Sequence, residues 1–284
     1  MLSLHTNNAA LSAQNSISRT QSSLSTSMTR LSTGYRINSA MDDAAGLQIA
    51  SRLKAQTSGM TVAMRNTQNS TSMLQTAEGA LDEVSNMLVR MKDLATQAAD
   101  ASSTANDKTA MQSEFDALGL ELKNVLQNTT FGGTKLLVGG TVGSAAMTFQ
   151  IGASSSETMT VNLTADMTSM ATDVSNATSN YTTTATGTEL TGTANATIGK
   201  LETALASVNK VRSGLGAAAN RLEHVYNNLS NISTNSKAAA GLIMDVDFAT
   251  ESANMTSNQM LLQAGTAMLK QSNSMSSMVM SLLQ

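Results

Sequence analysis

Apolar residues near the start of the chain recur at spacings typical of a helix that buries one narrow stripe. Over residues 4–31 the spacings are seven, six, seven, four and three, formed by Leu4, Leu11, Ile17, Leu24, Met28 and Leu31. Ser, Thr, Asn and Gln occupy most of the positions between them. This near-heptad pattern predicts a coiled-coil helix. A stripe this narrow cannot keep a helix folded on its own.

The end of the chain carries a similar stripe. Apolar residues stand seven apart at Leu261, Met268, Met275 and Leu282. We predict that these four residues form the self-assembly seams of the protein together with Leu4, Leu11, Leu24 and Leu31. Each terminal segment needs a partner before it can fold, and the nearest candidate for either segment is the other.

The strongest helical signals lie between the two ends. Residues 44–99 carry a seam with steps of three and four, made of Leu74, Ala77, Leu81, Val84, Leu88, Met91, Ala95 and Ala98. A second helix to about Asn128 repeats this spacing, so we predict an antiparallel pair. After Ile198 a third stripe with residues seven apart consists of Leu201, Val208, Leu215, Leu222 and Leu229. These stripes predict a helical bundle, whose last helix we expect to break near Gly241.

Two regions between the helices differ from this pattern. At about residues 145–164, apolar residues alternate with polar ones, as in Met147 and Phe149, and this alternation predicts a β-hairpin. Residues 164–197 are rich in Thr, Ser, Asn and Ala, so we expect an exposed, partly irregular surface. The predicted fold class is mainly α: long coiled-coil helices from both termini plus a helical bundle with a small β-hairpin region.

Residues 31–54 predict a hinge between two helical segments. Thr33-Gly34 is a helix stop, because glycine tolerates the left-handed geometry of a helix end. We expect Asn38 or Ser39 to cap the next helix. Asp42 and Asp43 would then place negative charge at its positive end, close to Arg36.

Composition limits the classes of protein that this chain can represent. It has 284 residues, 20 Met, no Pro, no Cys and no Trp, and aromatic residues make up 2%. This favours slender helices over a bulky core. A net charge of −3 without a basic run gives little support for nucleic-acid binding. No apolar run reaches membrane-spanning length, and the N-terminus lacks the features of a cleavable secretory signal. These facts alone predict a cytoplasmic protein that does not insert into membranes.

The sequence also lacks the residue sets of common active sites. The only histidines are His5 and His224, and no HExxH, Walker or GxGxxG motif occurs. Asp245 and Asp247 are followed by neither the glycine nor the glutamate of a calcium loop, so they predict a plain turn. We predict no enzyme activity, no metal and no cofactor. The methionines of the helical seams are expected to fill the core.

Two long segments carry a resemblance to a known family. RLSTGYRINSAMDDAAGLQIASRL, within residues 30–53, resembles the N-terminal signature of bacterial flagellins, the subunits of the flagellar filament. Residues 248–284, beginning FATESANMTSNQM, resemble the C-terminal signature of that family. The resemblance implies a structural subunit that polymerises into a helical filament and gives motility, by swimming or swarming.

The resemblance also implies an arrangement of domains and a location. Residues 1–43 and 241–284 would form an inner terminal coiled-coil domain, and residues 44–240 an outer helical bundle domain without large outer inserts. The short length is similar to that of lateral flagellins. The implied location is extracellular, in the filament, after export by the flagellar type III system without a cleaved signal. The implied partners are further copies of the chain, an export chaperone, the filament cap and the hook–filament junction proteins.

Family members are also ligands of the innate receptor Toll-like receptor 5. Arg90, Leu94 and Glu114 match the family's receptor contacts, so the resemblance implies that they are possible contacts here. Exposed Ser and Thr residues within 164–197 are possible sites for O-linked sugars. We further expect that a short linker could replace Asp166 to Glu189 without loss of export or filament formation, because this stretch would bury little.

Other classes of protein compete with the filament subunit. A flagellar hook–filament junction protein would share similar terminal heptads, and it is the main alternative. A soluble enzyme has no catalytic residue set in this sequence. An effector secreted by the same route would lack the paired terminal stripes.

Overall fold

The computed structural model describes residues 7–183 and 186–281. The chain divides into two compact units. The first unit combines the residues before Gln56 with those after Ser233, and the second is Gln56–Ser233. The divisions between these units lie inside the two longest helices. The inner and outer filament domains that the resemblance implied, with bounds at residues 43 and 240, stay a prediction.

The first unit is built on α1 (Asn8–Thr33) and α8 (Phe248–Ser281). It also contains the start of α2 (Ala44–Ala99) and the end of α7 (Ala194–Met244). The Asn7 side chain accepts a hydrogen bond from the backbone N–H of Ala10 and caps α1. At the other end of α1, Gly34 has φ 75° and its N–H donates to the Arg30 carbonyl. Gly34 is therefore the helix stop that the sequence predicted.

Helices and two small sheets form the second unit. Its elements, apart from α2 and α7, are α3 (Ala105–Asn128), β1 (Thr130–Phe131), β2 (Thr134–Lys135), α4 (Thr141–Ser144), β3 (Met147–Gln150), β4 (Thr158–Val161), α5 (Thr164–Ala177), a 3-10 turn (Ser179–Tyr181) and α6 (Glu189–Gly192). Strand β3 pairs antiparallel with β4, with Met147 opposite Val161 and Phe149 opposite Met159. The predicted β-hairpin is thus confirmed.

The core of the second unit follows the predicted helical stripes. All eight seam residues of α2 are buried, as are Phe115 and Leu122 of α3 and Leu201, Val208, Leu215 and Leu222 of α7. Ion pairs cross from α7 to α2, since Arg212 lies 2.8 Å from both Glu78 and Asp82. A single apolar stripe on each long helix therefore meets the others in one bundle.

Residues 164–197 correct the expectation of an exposed, partly irregular surface. Within the described part of this segment, α5 presents a buried face made of Met167, Met170, Val174 and Ala177. Tyr181 and Leu190 are also buried. These apolar residues are few, but on α5 they stand three, four and three apart and so form one continuous helical face. The expectation of an exposed surface rested on amino-acid composition, which does not show how the apolar residues are spaced.

The helix break predicted near Gly241 is present, but it lies slightly later in the chain. Helix α7 ends at Met244, three residues beyond Gly241, and α8 begins at Phe248. Three consecutive alanines, 238–240, have the highest helix propensity and carry the helix through this point.

The half-buried carboxylate of Glu189, the first residue of α6, forms hydrogen bonds with Gln112 and Ser179. Glu189 accepts hydrogen bonds from the Gln112 side chain at 3.0 Å and from the Ser179 N–H at 2.7 Å. Burial raises the pKa of Glu189, but the hydrogen bonds from Ser179 and Gln112 outweigh this effect and lower the pKa below its ordinary value of 4.5. Since the folded state lowers this pKa, the stability that Glu189 contributes is present above the unfolded-state pKa. It is lost as pH falls through the folded-state pKa.

We expect Glu189→Gln to be less stable than the parent near neutral pH, with a difference that shrinks in acid. The neutral amide lacks the charge that strengthens the bonds from Ser179 and Gln112. Urea unfolding near neutrality and at about pH 3 measures the difference. The exposed Glu83→Gln controls for the loss of one negative charge. Equal differences at both pH values would contradict the assignment.

Candidate assembly interface

Helices α1 and α8 pack against each other along their lengths as an antiparallel pair. Asn7 bonds the Ser272 hydroxyl at 3.2 Å near one end, and Arg30 lies 3.7 Å from Glu251 at the other. Between these ends, a Cβ added to Gly265 would stand 2.9 Å from Ile17 Cγ1. A side chain at position 265 would therefore displace the Ile17 side chain of α1. The two terminal segments partner each other, as their paired stripes suggested.

The residues that face the partner helix alternate three and four apart on both helices. On α1 the seam positions are Ala10, Ala13, Ile17, Thr20, Leu24, Ser27 and Leu31, and Arg30 beside Leu31 is also half-buried. On α8 they are Glu251, Met255, Asn258, Leu262, Gly265, Leu269 and Ser272. Both sets are heptad seams, and both mix apolar residues with small polar ones.

The eight residues predicted to form self-assembly seams lie at different places relative to this α1–α8 seam. Leu24 and Leu31 lie in it, but Leu11 is 48% exposed. On α8, Leu261, Met268 and Met275 are exposed, and the seam uses residues one position further along, such as Leu262 and Leu269. Leu4 and Leu282 lie outside the described residues. Two apolar stripes run side by side on α8, and a spacing of seven does not tell which stripe the partner helix covers.

The second stripe of α8 is an apolar surface that α1 does not cover. At 100° per residue, Met260, Leu261, Ala264, Met268 and Met275 fall within an arc of about 100°. We call these five residues the methionine face. Met260, Leu261, Met268 and Met275 are between 56% and 68% exposed. Large apolar side chains grouped on one exposed face of a helix mark a candidate interaction site.

The predicted hinge is held by bonds that link the two connecting segments. The Arg36 N–H donates to the Met244 carbonyl at 2.6 Å, and its guanidinium donates to the Ile243 carbonyl at 3.0 Å. In return, the Val246 N–H donates to the Gly34 carbonyl at 3.0 Å. Arg36 thus satisfies carbonyls that the end of α7 would otherwise leave without a partner.

The two aspartates of the hinge have different roles, and neither Asn38 nor Ser39 caps α2. Asp43 accepts a hydrogen bond from the Gly46 N–H at 2.9 Å at the start of α2. Asp42 instead closes the loop, because it accepts from the N–H groups of Ser39 and Asn38. These bonds lower the pKa of Asp42 below its ordinary value. As a cap of α2, the charged carboxylate of Asp43 accepts a stronger hydrogen bond than the neutral side chain of Asn38 or Ser39 would.

An ion pair that the sequence did not predict joins the hinge to α8. Arg30 lies between Glu251 at 3.7 Å and Asp42 at 3.9 Å, and Glu251 is buried. Two hundred and twenty-one residues separate Arg30 from Glu251 in the chain. The only available signal was an acidic residue in the first turn of α8, which alone indicates a favourable helix end.

The proposed receptor contacts lie in the second unit and are only partly accessible. Arg90 and Glu114 form an ion pair at 2.6 Å, with side chains 55% and 46% exposed. Leu94 is 3% exposed and belongs to the hydrophobic core of the second unit, so its side chain offers no contact surface. Val89, which is 45% exposed, is accessible beside Arg90.

Two properties of the described residues bear on the other function classes. Within 7–183 and 186–281, His, Asp and Glu side chains form no group of three that could hold a metal ion. Among the helices of those residues, none has a segment both long enough and apolar enough to cross a lipid bilayer.

Comparison with known proteins identifies the family. The sequence model of the bacterial flagellin N-terminal helical region matches residues 4–141, and that of the C-terminal helical region matches residues 198–283. Flagellin A of Vibrio anguillarum is 34% identical in an alignment of 381 positions that covers all of both chains. Flagellin of Halalkalibacterium halodurans is 40% identical over 260 residues and 90% of each chain.

A solved structure shares the fold at low sequence identity. It is provisionally described as a flagellar hook-associated protein from Vibrio parahaemolyticus, and it is 16% identical with a TM-score of 0.58. The match covers 72% of this chain and 99% of that chain. The two family regions and the long alignments with flagellins, by contrast, rest on sequence. The chain therefore belongs to the bacterial flagellin family, whose members are the structural subunits of the flagellar filament.

Proposed function

We propose that the methionine face of α8 is the surface through which one subunit binds the next in the filament. The observation that carries this proposal is the exposure of Leu261, Met268 and Met275 on a helix whose other apolar stripe already packs on α1. Burial of each such side chain contributes about 1.5–3 kcal/mol. In a family of polymerising subunits, the natural occupant of this face is a second copy of the chain.

The packing of α1 on α8 also supports an inner position for the two terminal segments. Residues 1–43 and 241–284 form the inner terminal domain in this proposal, and residues 44–240 form the outer bundle. The side of α8 away from both apolar stripes carries Ser252, Gln259 and Lys270. A polar side of this kind suits the wall of a water-filled central channel.

The proposed partners in export and assembly also bind the methionine face. The subunit leaves the cell through the flagellar type III system. A chaperone covers the methionine face beforehand, because a free apolar surface promotes aggregation. The filament cap and the hook–filament junction proteins bind the ends of the polymer, where one such face stays open.

The second unit carries the surface properties of the filament. Arg90 and Glu114, with Val89, form the accessible part of a candidate contact with Toll-like receptor 5. Candidate O-glycosylation sites within 164–197 are exposed hydroxyls, among them Thr168, Ser169 and Thr172. Buried Thr178 is excluded from this set.

Expression in a strain that lacks its own filament protein tests the proposal against the hook–filament junction alternative. We expect long filaments in electron micrographs and restored motility. A junction protein would leave bare hooks or short stubs, because its position in the organelle is occupied by a limited number of subunits. Hooks without filaments, from a subunit that is exported and folded, would favour the alternative.

A further inference from the structure

Among the described methionines, some are fully buried and others are largely exposed. There are 20 Met, and the chain has neither Cys nor Trp. Met91 and Met170 are 0% exposed, whereas Met260, Met268 and Met275 are 61%, 68% and 57% exposed. Thioethers are the most readily oxidised side chains of a protein without thiols. The accessible thioethers on α8 are concentrated on the methionine face.

We propose that the methionine face is a site of reversible sulfoxide formation that prevents the free subunit from polymerising. This inference rests on the proposed function of the face as the subunit interface. The reagent is a hydroperoxide such as hydrogen peroxide. The face is open to it in the subunit before assembly and covered in the filament.

The chemistry needs no residue other than methionine. The thioether sulfur attacks one peroxide oxygen, the O–O bond breaks, an S–O bond forms, and the second oxygen leaves as water. Sulfur loses two electrons and the peroxide gains them. In the reverse reaction, a methionine sulfoxide reductase uses two thiols, which become a disulfide while the sulfoxide oxygen leaves as water.

The sulfoxide changes the face from apolar to polar. Each new S–O group is a strong hydrogen-bond acceptor, and neighbouring Leu261 and Ala264 have no side-chain donors to offer it. Gln271 lies in the same arc, but its one amide has only two N–H donors for the sulfoxides of the face. If a second copy covered the oxygen, the group would lose its bonds to water without replacement. Several sulfoxides on one face add this penalty at each position. Oxidation therefore favours the free subunit over the polymer.

The first test is a peroxide titration of the purified full-length subunit, followed by peptide mass mapping. We expect an added oxygen at Met260, Met268 and Met275 well before any at Met91, Met167 or Met170, which serve as internal buried controls. Seeded polymerisation onto short filament fragments should then fall by about tenfold or more in subunit affinity. Intact filaments treated in the same way should resist oxidation on this face.

A matched variant assigns the effect to these residues. Replacement of Met260, Met268, Met275 and the exposed Met278 by Leu keeps an apolar helix that cannot form sulfoxides. We expect this variant to polymerise with and without peroxide treatment. A second variant, Met28→Leu with Met41→Leu, removes exposed methionines elsewhere and should stay sensitive to peroxide. Treatment of the oxidised parent with reductases for both sulfoxide epimers and a dithiol should restore polymerisation.

The outcomes separate failure of this inference from failure of the proposed interface. If Met268→Asp blocks polymerisation but the oxidised parent polymerises normally, the interface stands and the oxidation switch is wrong. If Met268→Asp and the oxidised parent both polymerise normally, the interface itself is wrong. Peroxide sensitivity that persists in the four-Leu variant would move the switch to other methionines and overturn the proposal.

Discussion

Met268→Asp is expected to yield a folded, monomeric subunit that forms no filaments. Met268 is 68% exposed on the methionine face, so the charge is hydrated in the free subunit. If a second copy of the chain covered this position, burial of the unpaired carboxylate would cost several kcal/mol or more. The critical concentration for polymerisation should rise by at least about tenfold. Sedimentation and electron microscopy measure this, and circular dichroism reports the fold.

Two further variants make the experiment specific. Gln259→Asp places the same charge on the exposed polar side of α8 and should leave polymerisation intact. Leu262→Asp places it in the α1–α8 seam and should separate the two helices within the subunit, with loss of helicity. Normal filaments from Met268→Asp would show that subunits meet through another surface.

Replacement of Asp166 to Glu189 by a short Gly/Ser linker is expected to unfold the second unit. The expectation from composition was the opposite. The structure reverses it because the segment contributes Met167, Met170, Val174 and Tyr181 to the core. Loss of a single buried methionine side chain costs about 2–5 kcal/mol, and a whole domain is stable by about 5–15 kcal/mol. Thermal unfolding and export into the medium measure the result.

Single substitutions show whether the buried face of α5 is the cause. Met170→Ala should lower the free energy of unfolding by about 2–5 kcal/mol. Exposed Thr172→Ala on the same helix should change it by less than about 0.5 kcal/mol. A deletion variant that unfolds at the parent temperature would place α5 outside the cooperative core.

The sequence predicted those parts of the fold in which one strong stripe decides the packing. On α2 and α7 each helix has a single apolar face, and Leu81 and Leu215 are buried as their spacing indicates. On α8 the sequence has adjacent leucines at 261 and 262, and each belongs to a different stripe. Leu262 lies in the seam because α1 packs on its stripe. The sequence of α8 alone therefore does not show which of the two stripes is covered.

The same limit applies to the hinge. Gly34 was predictable because a helix stop is a local requirement of the backbone. The bonds from Arg36 to Ile243 and Met244 join residues more than two hundred positions apart, and nothing near Arg36 signals them. Asp43 rather than Asn38 caps α2 because the loop places its carboxylate beside the Gly46 N–H.

The seam residues of α1 and α8 stand alternately three and four positions apart. This spacing fixes the handedness with which the two helices wind around each other. Seven residues that span two turns repeat every 3.5 residues, whereas a straight α-helix repeats every 3.6. The seam from Ala10 to Leu31 stays in contact with that from Glu251 to Ser272 only if the two helices wind around each other with a left-handed twist. Each subunit therefore brings a pre-wound pair to the growing polymer. Polymers of such pairs inherit a chiral bias from the sequence itself, before any contact between subunits forms.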